Sequence, residues 1–339
     1  LLPIDLAMQA SPPLDSALPQ LAESVSTQPP VIASTLPVKP VSAEIDTPFI
    51  TINTDVYELQ ISLRGGTLVN AKLKKYPISK DSPDIPFELL SSAPENLYTI
   101  STGIVDGNRS GPTHLATLTA NSSRFVMSGD TLEVPLSWRS PEGVQVEKIY
   151  RFFRGRYNID VEYRIRNGSN SEWRALSYLQ VRKLHNPPER SMFDVDSYSY
   201  NGPIYYDGEK YEKVDPDDLA DEPLKLTTAG GWIASIEHHF LSAVIPPPEQ
   251  DYSYDANFTN QVITVRATGP AYALPASGEA VIFDQIFVGP KLQDDLSETS
   301  PGLELTVDYG LLALLAKPLF WLLQQVHGVV GNWGWSIIL

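Results

Sequence analysis

Residues 144–166 have the sequence VQVEKIYRFFRGRYNIDVEYRIR, and this stretch decides the fold class. On both sides of Arg154-Gly155-Arg156, an apolar or aromatic residue recurs at nearly every second position. Alternation with a period of two indicates a half-buried strand, and two such runs joined by a short Gly-containing turn are typical of a β-hairpin. One face should then hold Val144, Val146, Lys148, Tyr150, Phe152, Tyr157, Ile159, Val161, Tyr163 and Ile165. The charged residues Glu147, Arg151, Asp160, Glu162 and Arg164 are expected on a solvent-exposed face.

Similar short runs, separated by turn residues, continue on both sides of this hairpin. We predict strands at residues 49–54, 56–63, 67–73, 98–100, 114–120, 125–127, 132–138, 173–184, 252–258, 261–268 and 280–288. The segment 103–112 is expected to be a loop, segment 186–223 to be irregular, and the acidic run 215–222 to be a solvated loop. Many short strands with little helix predict an all-β sandwich.

Composition limits the classes of partner and chemistry. The 339 residues carry a formal net charge of −16, which argues against nucleic acid as a partner because phosphate binding rests on Lys and Arg. Cysteine is absent, so disulfides, thiolate nucleophiles and Cys-based metal sites are excluded. Residues 1–46 are rich in proline and lack aromatic side chains, a composition that predicts a flexible linker.

The last part of the chain has a different pattern. Residues 303–339 are LELTVDYGLLALLAKPLFWLLQQVHGVVGNWGWSIIL, and a helical period over residues 309–326 gives an amphipathic helix with a broad apolar face. Pro318 is expected to break or kink that helix or to start a new one. The tryptophans indicate a bilayer boundary, so we predict a helix lying at the membrane interface. The candidate interface residues are Leu311, Leu312, Leu315, Leu319, Trp321, Leu322, Val326, Trp333 and Trp335.

Several motifs carry a resemblance to a known family. VDYG, KPLF and VHGVVGNWGWSII, within residues 307–338, resemble the segment that leads into the membrane core of the YidC/Oxa/Alb insertases. RGGTLVNAKLKKYP, GPIYYDGEKYEKV, GGWIA and VGPK further resemble the large periplasmic domain of the Gram-negative YidC form. The resemblance implies a large twisted β-sandwich, similar to sugar mutarotases, followed by short C-terminal helices. It divides the chain into a linker (1–46), a periplasmic sandwich (47–291), a helical segment (292–330) and the start of a truncated transmembrane helix (331–339).

The resemblance also implies a function. A domain of this kind belongs to a non-enzymatic insertase that helps inner-membrane proteins to insert and fold, alone or with the Sec translocon. The implied partners are inner-membrane lipid, nascent membrane proteins, and the Sec translocon with its accessory subunits; no cofactor is implied. The chain is expected at the bacterial inner membrane, on its periplasmic side. The alternative from another class is a carbohydrate-binding or mutarotase-like periplasmic sandwich.

Histidines and acids give little support to that alternative. A mutarotase needs a histidine acid and a glutamate base that converge on the sugar ring, and no motif places such a pair together. His238 and His239 are adjacent, so on a strand they would point to opposite faces and could not bind one metal ion. We therefore predict no catalytic residues and no metal ligands.

Overall fold

The computed structural model describes residues 49–107, 111–186, 200–307 and 313–338; the predicted linker at 1–46 lies outside them. The chain divides into two compact units, the first ending at Pro290 and the second beginning at Lys291. The first unit contains the strands, and the second contains short helices. An all-β sandwich followed by short C-terminal helices, as predicted, is confirmed.

The strands of the described residues are numbered in chain order. They are β1 (Phe49–Asn53), β2 (Tyr57–Ser62), β3 (Thr67–Ser79), β4 (Ser82–Leu90), β5 (Tyr98–Asp106), β6 (Thr119–Ala120), β7 (Arg124–Val126), β8 (Thr131–Arg139), β9 (Val144–Phe153), β10 (Asn158–Asn167), β11 (Trp173–Leu184), β12 (Gly202–Tyr206), β13 (Tyr211–Lys213), β14 (Leu224–Thr228), β15 (Trp232–Ile236), β16 (Phe240–Ile245), β17 (Tyr252–Thr259), β18 (Val262–Leu274) and β19 (Glu279–Pro290).

These strands form two sheets. The first, of ten strands, has the order β14-β17-β18-β11-β5-β3-β2-β1-β7, with β4 paired to β3. The second, of nine strands, has the order β13-β12-β15-β16-β19-β10-β9-β8-β6. Side chains from the two sheets meet in a shared interior, where the Tyr163 hydroxyl of β10 donates to Thr102 Oγ1 of β5 at 2.7 Å.

The hairpin that decided the fold class is β9–β10. Its arms pair antiparallel from Phe152 with Ile159 to Val144 with Asn167, and Gly155 lies in the turn with φ of +73°, which glycine adopts without strain. The predicted cross-strand charge pairs form, including Arg151 to Glu162 at 3.2 Å. The expected full exposure of that face is wrong for Glu162, which is 5% exposed because arginine side chains cover it.

Lys148 gives the sandwich an unusual interior. The sequence pattern placed it among apolar residues of β9, and the side chain is buried there, only 1% exposed. Its ammonium donates to the carbonyls of Gly65 (2.9 Å), Gly66 (3.4 Å) and Thr102 (2.8 Å). Because a lysine has three N–H donors, these carbonyls satisfy all of them.

A buried acid lies in the same interior. Asp284 of β19 is 4% exposed and accepts a hydrogen bond from the Tyr252 hydroxyl at 2.9 Å. Burial raises the pKa of Asp284 to about 7, although the Tyr252 hydrogen bond and the charge of Lys148 both lower it. Burial lowers the pKa of Lys148 from its ordinary value, and the charge of Asp284 opposes that shift. The two groups therefore influence each other within a largely apolar core.

Several local predictions need correction. Strand β5 runs to Asp106, so residues 103–106 are not loop, and β4 was not predicted at all. Within the predicted strand 114–120, only Thr119–Ala120 pairs in a sheet. The acidic run forms a helix, α1 (Pro216–Asp221), because Asp215 Oδ1 caps it by accepting the Asp217 N–H at 3.0 Å.

Candidate membrane-interface segment

The second unit contains three helices in its described residues: α2 (Gln293–Thr299), α3 (Ala313–Val330) and α4 (Trp333–Ile338). Helix α3 runs through Pro318 without interruption, so the predicted break or new start at that proline does not occur. Pro318 is the sixth residue of the helix, so it removes one intrahelical hydrogen bond near the start while twelve residues follow it.

The junction between α3 and α4 is capped on both sides. Gly331 has φ of +68°, and its N–H donates to the carbonyl of His327 at 2.7 Å, which ends α3. Asn332 then caps α4, because its Oδ1 accepts the N–H of Gly334 at 2.9 Å and of Trp335 at 3.3 Å. Gly331 and Asn332 therefore form a short corner that joins two helices.

Several apolar side chains of α3 are exposed. Leu319 is 64% exposed, Trp321 is 61% exposed and Leu322 is 53% exposed, whereas Val326 is half-buried. Among the described side chains of α3, none is fully buried. The apolar surface of Leu319, Trp321 and Leu322 is therefore free to contact a partner.

The remaining candidate residues are described unevenly. Leu311 and Leu312 lie outside the described residues. Leu315 lies in α3 and Trp333 begins α4, but their side chains fall outside the description. Trp335 is 61% exposed.

The exposed apolar surface extends further than the sequence analysis proposed. Val329 is 89% exposed, Ile337 is 71% exposed and Ile338 is 75% exposed, and none of them was among the candidates. The signal was present in the sequence, because the apolar run continues past Val326, but the predicted helix ended at that residue. We use the name apolar tail for these exposed apolar side chains of α3 and α4: Leu319, Trp321, Leu322, Val329, Trp335, Ile337 and Ile338.

Helices α3 and α4 also carry very little charge. Residues 313–338 contain no Asp or Glu and one Lys, in a chain with a formal net charge of −16. Apolar burial, rather than charge, is therefore the interaction this segment can offer to a partner. No helix in the described part of the chain is long and apolar enough to cross a bilayer.

His114 and His185 each contact an aromatic side chain. His114 Nδ1 lies 2.6 Å from the Tyr178 hydroxyl, and burial, followed by nearby arginine and lysine charges, lowers the pKa of His114 to about 4. His185 packs its ring edge-on against Phe258. The described residues contain no group of three or more His, Cys, Asp or Glu side chains that could hold a metal ion.

His238 and His239 require a correction. They occupy the turn between β15 and β16, closed by the Glu237 N–H donating to the Phe240 carbonyl at 2.8 Å, rather than a strand. Their ring centroids lie 3.9 Å apart, so the expectation of opposite faces is wrong. The neighbouring carboxylate of Glu237 lies 2.8 Å from Lys183 Nζ, which makes it an ion-pair partner.

Comparison with known proteins identifies clear sequence relatives. The YidC periplasmic domain family matches residues 49–322 of this chain. A membrane protein insertase YidC from Thioalkalivibrio sulfidiphilus is 39% identical over 341 residues, covering 95% of this chain and 59% of the relative. A membrane protein insertase YidC from Pseudomonas putida is 35% identical over 340 residues, covering 98% of this chain and 60% of the relative. The chain thus spans about three fifths of the length of these relatives.

Solved structures with a similar arrangement of strands are more distant. A galactose mutarotase related enzyme from Lactobacillus acidophilus is 11% identical, with a TM-score of 0.48, covering 71% of this chain and 97% of that one. A galactose mutarotase-like protein from Lactobacillus casei is 10% identical, with a TM-score of 0.47, covering 71% of this chain and 99% of that one. Likenesses this distant carry no information about activity.

Proposed function

The chain belongs to the YidC periplasmic domain family, and from that premise we propose that it is the periplasmic part of a membrane protein insertase at the bacterial inner membrane. In this proposal the chain is not an enzyme. It assists the insertion and folding of inner-membrane proteins, alone or with the Sec translocon, by holding the apolar tail at the bilayer surface. The observation that carries the proposal is the exposure of Leu319, Trp321 and Leu322 on a helix with no acidic residue.

Inner-membrane lipid is the first proposed partner. Leu319 and Leu322 are three positions apart and lie on one side of α3, where they can enter the boundary between headgroups and acyl chains. Trp321 and Trp335 suit the same boundary, because an indole ring is apolar and its N–H needs a polar partner. Residues 331–339 are proposed as the start of a membrane-spanning helix in the longer protein.

Nascent membrane proteins and the Sec translocon with its accessory subunits are the remaining proposed partners. An exposed apolar surface beside a bilayer suits a client that is itself apolar. The sandwich, with a formal net charge of −16 over the whole chain, provides an acidic surface that suits protein partners better than nucleic acid.

Flotation with liposomes tests the lipid contact. The double variant Leu319→Asp with Leu322→Asp should lose most of the liposome-bound fraction, because two carboxylates would have to enter the apolar layer. A matched control is Ile85→Asp, which changes an equally exposed apolar residue, 52% exposed, in strand β4. Full binding by the double variant would contradict the proposal.

Photo-crosslinking in cells tests the protein partners. A crosslinker placed at exposed positions in the sandwich of the full-length insertase should capture Sec subunits, and one placed at Trp321 should capture nascent membrane proteins. Loss of the crosslinks when membrane protein synthesis is stopped would support client contact. Crosslinks that never include either class would contradict the proposed partners.

A further inference from the structure

A row of polar side chains lies on the outer face of the ten-stranded sheet. In β11, Leu179 faces the interior of the sandwich, because its partner Thr102 hydrogen-bonds Tyr163 of the other sheet. Side chains alternate along a strand, so Tyr178, Gln180 and Arg182 face outward. Their neighbours in the register are Gly103, Ser101 and Thr99 of β5, and Thr268, Arg266 and Thr264 of β18.

Arg182 is a partly buried cation that has no partner among the residues the structure describes. Among the described residues its guanidinium makes no hydrogen bond or ion pair, and burial lowers its pKa from the ordinary value with no opposing acid. The neighbouring Arg266 shows the usual arrangement, because its Nε and one terminal nitrogen each lie 3.0 Å from a carboxylate oxygen of Asp255. Desolvating a guanidinium without a counter-ion costs free energy, so the position of Arg182 calls for a reason.

Gln180, in the same row, is also unsatisfied. Its side chain is fully buried, and within the described part of the chain neither the amide nitrogen nor the amide oxygen has a hydrogen-bond partner. Such groups are rare in native proteins, since each unmade hydrogen bond costs roughly 1–3 kcal/mol. An amide donor and a guanidinium, two residues apart on one strand face, thus both lack a partner among the described residues.

His114 closes one end of the row. The Tyr178 hydroxyl accepts the His114 backbone N–H at 2.8 Å and lies 2.6 Å from His114 Nδ1. The hydroxyl therefore accepts one hydrogen bond from the His114 backbone and shares a second with the imidazole ring. The low pKa of His114, about 4, arises first from burial and next from the charges of Arg182 and Arg266. The region is therefore electropositive on a strongly acidic protein.

We propose that Arg182, Gln180 and Ser101 form a binding site for a small carboxylate ligand on the outer face of the ten-stranded sheet. A guanidinium presents two parallel N–H groups that match the two oxygens of a carboxylate. One unpaired guanidinium balances one negative charge, and the Gln180 amide and the Ser101 hydroxyl can donate to the same group. A sugar acid and a peptide C-terminus share this chemistry. The site is independent of the apolar tail and of the proposed insertase role.

Calorimetric titration of the chain tests the site. Glucuronate and N-acetyl-alanyl-alanine supply the carboxylate from the two sources, and glucose and the amidated peptide are their neutral controls. Binding of either acid, with its neutral control at least about tenfold weaker, supports the proposal. The acid that binds more tightly identifies the source. Failure of both acids at millimolar concentration overturns it, as does equal binding of each neutral control.

Variants separate a ligand-binding role of Arg182 from a structural one. Arg182→Gln should weaken binding of the acid about ten- to hundredfold. Without ligand, its melting temperature should stay equal or rise, because the variant removes an unpaired and partly desolvated charge. The matched control is Arg174→Gln, on the same strand and face, where Arg174 Nε lies 3.1 Å from exposed Glu172. Unchanged affinity for Arg182→Gln, or a fall in its ligand-free melting temperature, overturns the proposal.

Discussion

The sandwich and the apolar tail differ in how far they bury their apolar side chains. In the sandwich, residues such as Ile50, Tyr163 and Phe287 are fully buried, and even Lys148 is buried among them. In α3 and α4, Leu319, Trp321 and Ile337 are more than half exposed. The sandwich therefore excludes solvent through its own packing, whereas these side chains of α3 and α4 remain exposed.

Burial of a side chain depends on the hydrogen-bonding or apolar groups available around it, and not on residue type alone. Lys148 is tolerated inside because backbone carbonyls from distant strands satisfy its three donors. Leu319 and Leu322 of α3 remain exposed although their transfer from water is favourable, by about 1.5–3 kcal/mol for each fully buried side chain. We propose that a bilayer supplies the missing apolar surroundings.

The largest expected effect comes from removing the buried cation of the sandwich. Lys148→Met should lower the free energy of unfolding by about 3–5 kcal/mol, because it leaves the buried carbonyls of Gly65 and Thr102 without their side-chain donor and removes a positive charge that favours ionised Asp284. Urea denaturation measures the change. Lys75→Met, at an exposed position of β3, is the control and should change the free energy by less than about 0.5 kcal/mol. Equal, small effects of both variants would mean that the interior does not depend on the lysine.

The next effect is a pH dependence of the sandwich that arises from Asp284. Its folded pKa, about 7, lies above the ordinary value of 3.8, so between these values the folded state holds a proton that the unfolded state has lost. Stability from this group should therefore fall as pH rises from about 4 to 7, by up to about 1.4 kcal/mol per pH unit.

Asp284→Asn isolates that contribution, because the amide oxygen still accepts from Tyr252 but cannot ionise. The difference in free energy of unfolding, variant minus wild type, should grow with pH across this window and level off above it. Urea denaturation at a series of pH values measures it. A difference that does not change with pH would show that Asp284 has an ordinary pKa in the folded protein.

A smaller effect on stability tests the close approach between the backbones of Gly65 and His114, next to Lys148. A Cβ at Gly65 would lie 2.2 Å from His114 Cα, and φ there is +72°, so Gly65→Ala should cost about 1–3 kcal/mol or more. Gly155→Ala is a matched control, since φ is +73° but the nearest atom is 4.0 Å away. Thermal unfolding of the pair separates steric contact from backbone strain. Equal losses would mean that the His114 segment moves away freely.

The smallest expected effect on stability belongs to the apolar tail. Leu319→Asp with Leu322→Asp should change the free energy of unfolding of the sandwich by less than about 0.5 kcal/mol, because both side chains are exposed. Denaturation followed by the near-UV signal of the buried Trp232 reports on the sandwich. A clear loss of stability would show that these leucines support the folded chain in water.

Sequence periodicity predicted the β9–β10 hairpin almost to the residue, because alternation there is strong and both arms are long. It missed β4, which contains Pro83 and Pro86, since prolines are usual strand breakers. It also misjudged β5, because Gly103 suggested a loop. Gly103 is needed within the strand, where a Cβ would lie 2.9 Å from the Tyr178 hydroxyl.

The interior chemistry could not be predicted from the sequence. Lys148 is held by carbonyls of residues 65, 66 and 102, and no local pattern connects these positions. The unpaired state of Arg182 likewise depends on which side chains the neighbouring strands present. The interface residues from Leu319 to Trp335 were accessible to sequence analysis, because a helical period and clustered tryptophans are local signals, and their contact with lipid stays a prediction.

Depth-dependent quenching of tryptophan fluorescence by brominated lipids measures directly whether the apolar tail lies at the bilayer interface. The chain bound to vesicles should be quenched most by bromines near the headgroups, and a triple variant, Trp321→Phe with Trp333→Phe and Trp335→Phe, should remove most of that quenching, while Trp232 stays shielded in the sandwich. Quenching that is absent, or that persists unchanged in the triple variant, would contradict an apolar tail lying at the bilayer interface.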